Sequence, residues 1–71
     1  MVNSNKVKGR IVELGLNQQD VAKAMGLSQS TLSLKINNAR PMALSEVEEL
    51  AKLLQLKFPE YEAYFFYHPV A

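Results

Sequence analysis

Side chains able to do covalent or metal chemistry are scarce in this sequence. It has one histidine, His68, and no cysteine. The usual zinc sites and thiol or imidazole nucleophile pairs therefore cannot be assembled. Glu48 and Glu49 are adjacent, so on a helix they point about 100° apart, which is poor geometry for paired catalytic carboxylates. No glycine-rich phosphate loop occurs. The sequence predicts no enzymatic activity, no cofactor and no metal. What remains is noncovalent chemistry, centred on the amide of Gln29 and the hydroxyls of Ser30 and Ser33, which both donate and accept hydrogen bonds. Leu34 follows directly after them.

Short helices must position these groups. Val7, Ile11 and Leu14 recur at helical spacing and predict a first helix from about Asn5 to Leu14, capped by Ser4 or Asn3 and ended by Gly15. Asn17 caps a second, with Asp20 in its first turn and Leu16 stapled onto Val21 across the cap. Its apolar side is Val21, Ala22 and Met25. Gly26 stands where a left-handed turn residue is wanted. Ser28 then caps a third helix, from Gln29 to about Asn37, so soon that the two helices must cross steeply.

Asn37, Asn38, Arg40 and Pro41 read as a loop. Ser45 and Glu48 fit an S-x-x-E capping box for a fourth helix, whose core face is Val47, Leu50, Ala51 and Leu54. A fifth starts at Pro59, with Phe58, Tyr61 and Phe65 on its inner face. Tyr64 to Ala71 read as an aromatic tail that runs extended and holds Pro69.

Length bounds the rest. A chain of 71 residues makes one domain, residues 1–71, and buries only about 60% of the surface its unfolded form exposes. Its apolar runs are too short for a bilayer, and the polar start MVNSNKVKGR lacks the apolar stretch of a secretory signal, so no membrane association is expected. Net charge is only +1, but it is unevenly spread. Residues 1–40 carry six bases and two acids, a net +4; residues 41–71 carry two bases and five acids, a net −3. The first part is suited to meet phosphate, or it is ordinary surface charge.

The stretch Gln18 to Asn38, QQDVAKAMGLSQSTLSLKINN, resembles the helix-turn-helix of the phage repressor and Cro family, the XRE-type transcriptional regulators. Ala22 takes the small position where the two helices cross closely, and Gly26 sits in the turn. Val21, Met25, Leu27 and Leu32 fill the usual apolar places. The resemblance covers residues 4 to about 56 and leaves 57–71 as the tail. It implies a compact, five-helix, all-α lambda-repressor-like domain that binds operator DNA and regulates transcription. It also implies a cytoplasmic, nucleoid-associated location in a bacterial or phage-infected cell. One position departs from the pattern: Lys35 stands where an apolar residue is usual, and Ile36 follows. Leu32 and Ile36 are still one turn apart, so a core face survives with rotated packing, and the roles of residues after Leu32 stay open.

In that frame the third helix lies in the major groove and presents Gln29, Ser30, Ser33 and Leu34 to base edges. Glutamine pairs bidentately with adenine, and the serines meet a base or a phosphate. Leu34 either touches a thymine methyl or packs on a neighbouring helix. Phosphate contacts fall to Gln18 at the start of the second helix, and to Lys35, Asn38 and Arg40. Lys8 and Lys23 are weaker candidates. All six aromatic residues lie between Phe58 and Tyr67, more than one short helix can bury on a single side. Tyr64, Phe66 and Tyr67 are thus candidates for a homodimer interface, unless the tail folds back over its own domain. No small-molecule effector is expected. The other functional readings are an antitoxin-type autorepressor, and an anti-repressor or protein-interaction module that keeps the fold without binding an operator.

Overall fold

A computed structural model describes residues 1–67 of the chain. Among them there are five α-helices and no strand: α1 (Ser4–Glu13), α2 (Gln18–Ala24), α3 (Gln29–Ile36), α4 (Leu44–Leu53) and α5 (Tyr61–Phe65), the last preceded by a 3₁₀ turn at Phe58–Glu60. The all-α, five-helix architecture expected from the sequence is the one observed. His68 and Pro69, and with them the end of the expected extended tail, lie outside the described residues.

The first four helices all end in the same way. In each, two backbone N–H groups just past the last turn reach back to carbonyls that the helix itself leaves unpaired. Gly15 and Leu16 donate to Val12 and Ile11 at the end of α1, at 2.9 and 3.0 Å. Gly26 and Leu27 do the same for Lys23 and Ala22 of α2, at 3.1 and 2.9 Å. Asn38 with Ala39, and Gln55 with Leu56, repeat the pattern on α3 and α4. The residue at the reversal must take positive φ. Gly15 and Gly26 do so without steric cost, at 74° and 69°. Asn38 and Gln55 do so at 64° and 56°, against the clash between Cβ and the following carbonyl. Three of the residues that follow the reversal, Leu16, Leu27 and Leu56, pack on or within the core and fold the chain back onto it.

Helix starts are equally local. Asn3, not Ser4, caps α1, and its side chain accepts from Lys6 N–H at 3.3 Å. Asn17 and Asp20 form a reciprocal capping box on α2 (2.8 and 3.2 Å). Ser28 accepts from Thr31 N–H at 3.1 Å to cap α3. The expected Ser45–Glu48 box on α4 does not form. The helix begins at Leu44, and Glu46 instead accepts from the backbone N–H of Ala43 at 2.9 Å. A second partner, Lys35, holds Glu46 in that place, which explains why the helix start lies ahead of Ser45.

The core takes one face from each helix. Val7 and Ile11 (α1), Val21 and Ala22 (α2), Leu32 and Ile36 (α3) and Val47, Leu50 and Ala51 (α4) are buried together with Val2, Leu54, Leu56 and Phe65. No polar or charged residue is buried among the described residues. The aromatic segment divides. Phe65 is buried and Tyr61 half-buried, with rings edge to face at 6.1 Å. Phe58, the first residue of the 3₁₀ turn, is 80% exposed rather than on the inner face, its ring centre 5.3 Å from that of Tyr61. Tyr64 and Phe65 are helical, contrary to the expected extended tail. The chain then runs back along its own start: Asn3 N–H donates to the Tyr64 carbonyl at 2.8 Å, and Tyr67 N–H to the Met1 carbonyl at 3.0 Å.

Candidate nucleic-acid interface

The interface is built around α3, which packs more extensively on α2 than any other two elements do on each other. Only Met25 to Ser28 separate the two helices. Inward, Leu32 and Ile36 are completely buried. Ile36, not residue 35, is the second core anchor of α3, one turn after Leu32.

Outward, Gln29 and Ser30 are exposed at the first turn. Ser33 is half-buried and accepts from the Asn37 amide at 3.3 Å. Leu34 is 39% exposed. Gln29, Ser30, Ser33 and Leu34 thus share one accessible strip that carries no charge. At about 1.5 Å per residue, α3 is about 12 Å long, close to the width of a major groove.

The C-terminal end of α3 is tied down by the start of the chain. Ser4 Oγ donates to the Ile36 carbonyl at 2.7 Å, and Lys8 Nζ to Asn37 Oδ1 at 2.8 Å. Asn38 closes on Val2 from both sides, accepting from its N–H at 2.8 Å and donating to its carbonyl at 2.9 Å. These contacts hold the outer strip at a set angle to the core, the preorganisation a recognition surface needs.

The residues expected to reach phosphate are not equivalent. Gln18 is the first residue of α2 and is half-buried. Arg40 is exposed beyond α3, its backbone N–H on the Leu34 carbonyl at 3.2 Å. Asn38 is exposed, but its side chain is spent on the Val2 clasp. Lys35 is engaged inside the fold: its Nζ lies 2.5 Å from Glu46 Oε2, with the two side chains only 16% and 21% exposed. The Lys35 hydrogen bond, and after it the Ala43 N–H, hold the Glu46 carboxyl below its ordinary range. Of the weaker candidates, Lys8 sits on Asn37 and Lys23 is exposed on α2.

Among the aromatic candidates, Tyr64 is half-buried, with Lys6 Nζ 5.1 Å from its ring centre. Phe66 and Tyr67 are exposed, at 47% and 40%. Sequence reasoning missed the Asn38–Val2 clasp, the Lys8–Asn37 and Ser4–Ile36 contacts, and Arg10 Nε on the Leu54 carbonyl at 2.9 Å. These groups are 29 to 44 residues apart, and no local spacing signals them.

A family model described as a protein of unknown function, DUF739, matches residues 2–68. The chain belongs to the DUF739 family. No curated protein matches it. Its family therefore assigns no activity, and the functional reading rests on the geometry above. Among the described residues no group of three or more potential metal ligands comes together, and no helix is long and apolar enough to cross a membrane.

Proposed function

We propose that this protein binds double-stranded operator DNA, with α3 in the major groove, and regulates transcription as Cro- and repressor-like proteins do. One observation carries the reading. A short helix, closely backed by another, has its inner side buried at Leu32 and Ile36 and its outer side lined by uncharged hydrogen-bonding groups and one apolar residue. That combination suits base edges, which present donors, acceptors and methyl groups. Arg40 and Gln18 flank the strip as phosphate contacts. The net +4 of residues 1–40, which include α3, favours approach to phosphate.

The operator reader acts as a homodimer. A single copy extends 33 Å along its longest principal axis and carries one α3, whereas half-sites one turn apart are about 34 Å between centres and need two. Two copies joined through Phe66 and Tyr67, with Tyr64 behind them, supply the second α3. Phe58 and Phe66, both exposed and lining one shallow cavity with Pro59, Tyr61 and Glu62, also favour a second reading, a protein-interaction module, because a contiguous exposed apolar patch marks an interaction site.

Selection of bound sequences from a random duplex pool at two salt concentrations tests both. An enriched palindrome whose affinity falls steeply with salt supports the operator reading, since phosphate contacts release counterions. No enrichment at either salt refutes it and leaves the interaction module.

A further inference from the structure

We propose that Leu34 is the specificity-determining residue of this surface, reading the C5-methyl group of thymine in a half-site that has no guanine anchor. The inference rests on the DNA-binding reading above. At about 100° per residue, Leu34 lies diametrically opposite the midpoint of Leu32 and Ile36. Those two residues are completely buried, and Leu34, 39% exposed, lies on the opposite, outer side of the helix.

Its neighbours define what else is read. Ser30 lies one turn before it and Gln29 beside that, both exposed. Glutamine is suited to adenine, whose N7 accepts and N6 donates. Guanine is most often read by arginine or lysine bonded to O6 and N7 together. The only cation in α3 is Lys35, and Glu46 holds its ammonium at 2.5 Å on the inner side of the surface. The Asn37 amide at the far end is occupied by Lys8 and Ser33. The outer side of α3 therefore offers hydroxyls and a branched alkyl group, with the Gln29 amide at its first turn, a set that favours A·T pairs. A leucine in this position has a single specific partner among base edges, the methyl group that thymine carries and that cytosine lacks.

The reading has an unusual corollary. Cytosine methylated at C5 presents the same methyl group, so at the critical position 5-methylcytosine recovers part of what cytosine loses.

The test uses the full chain and duplexes derived from pool selection. Each thymine in the enriched half-site is replaced in turn by deoxyuridine, which deletes only the methyl group. Affinity is read by fluorescence anisotropy for the parent and for Leu34→Ala, whose fold is checked by circular dichroism. We expect loss of one methyl group to weaken parent binding about fourfold at one position, the value of one buried carbon. Leu34→Ala binds thymine and uridine duplexes alike. If a site is enriched but every uridine replacement is silent, or Leu34→Ala still discriminates, the Leu34 assignment is wrong while DNA binding stands. If no duplex is enriched, DNA binding itself fails and the assignment falls with it.

Discussion

Replacing Glu46 by glutamine keeps the side chain's shape and removes its charge. In the native fold that carboxylate accepts from Lys35 Nζ at 2.5 Å and from Ala43 N–H at 2.9 Å. An exposed ion pair contributes up to about 1 kcal/mol, whereas breaking a fully buried one costs about 3–5 kcal/mol. With side chains 16% and 21% exposed, this pair falls between, and the expected loss is about 2 kcal/mol. For a domain of this size that lowers Tm by about 8–16 °C.

The pH dependence gives an independent check on the same pair. Glu46 titrates below its ordinary value of 4.5, first because Lys35 hydrogen-bonds its carboxylate. A carboxylate with a depressed folded pKa contributes stability that is complete above the unfolded value and vanishes as pH falls through the folded one. The gap between parent and Glu46→Gln should therefore be full at neutral pH and should close below pH 4.5. Urea unfolding followed by circular dichroism, repeated down the acid range, measures it. Glu46→Gln also releases Lys35, so duplex binding should gain a phosphate contact and steepen the slope of log K against log salt by about 0.9. Equal stability at neutral pH, or a gap that persists in acid, would refute the assignment of Lys35 to Glu46.

Other substitutions separate backbone effects from side-chain effects. Gln55 is exposed and takes φ 56°, so Gln55→Gly should stabilise the protein by about 0.5–1 kcal/mol in urea unfolding. Asn38 combines a left-handed backbone with two hydrogen bonds to Val2. Asn38→Ala should lose about 2–3 kcal/mol, and Asn38→Gly less, since glycine restores the backbone but not the clasp; equal losses would show that the backbone strain is idle, and an undiminished stability of Asn38→Gly that the clasp is. In anisotropy titrations, Gln29→Ala should cost about 1–3 kcal/mol and relax preference at one base position, whereas Arg40→Ala should weaken all sequences alike.

Much of the fold is legible along the chain because helix starts and ends are decided within a few residues. Asn17 with Asp20, Ser28 with Thr31, and Gly15 and Gly26 are signals of this kind. So is the i, i+3, i+4, i+7 pattern of Val47, Leu50, Ala51 and Leu54, all four of them buried. The pairing of Leu32 with Ile36 on one face was also readable, from the period alone. Local rules reached their limit at Ser45. Its box with Glu48 was a valid local option, and it lost to a competing start because Glu46 had a second partner eleven residues away on another helix.

The candidate site divides along the same line. Residue types and helical period determined by themselves that Gln29 and Ser30 would open the third helix and that Leu32 would face inward. Tertiary structure alone decided what each remaining polar group was free to do. It took Lys35 for Glu46, Asn38 for Val2 and Asn37 for Lys8, and it left Leu34 facing outward. The physical reason is that a side chain's availability depends on which distant partner the fold brings within hydrogen-bond reach, and such a partner leaves no periodic trace in the sequence.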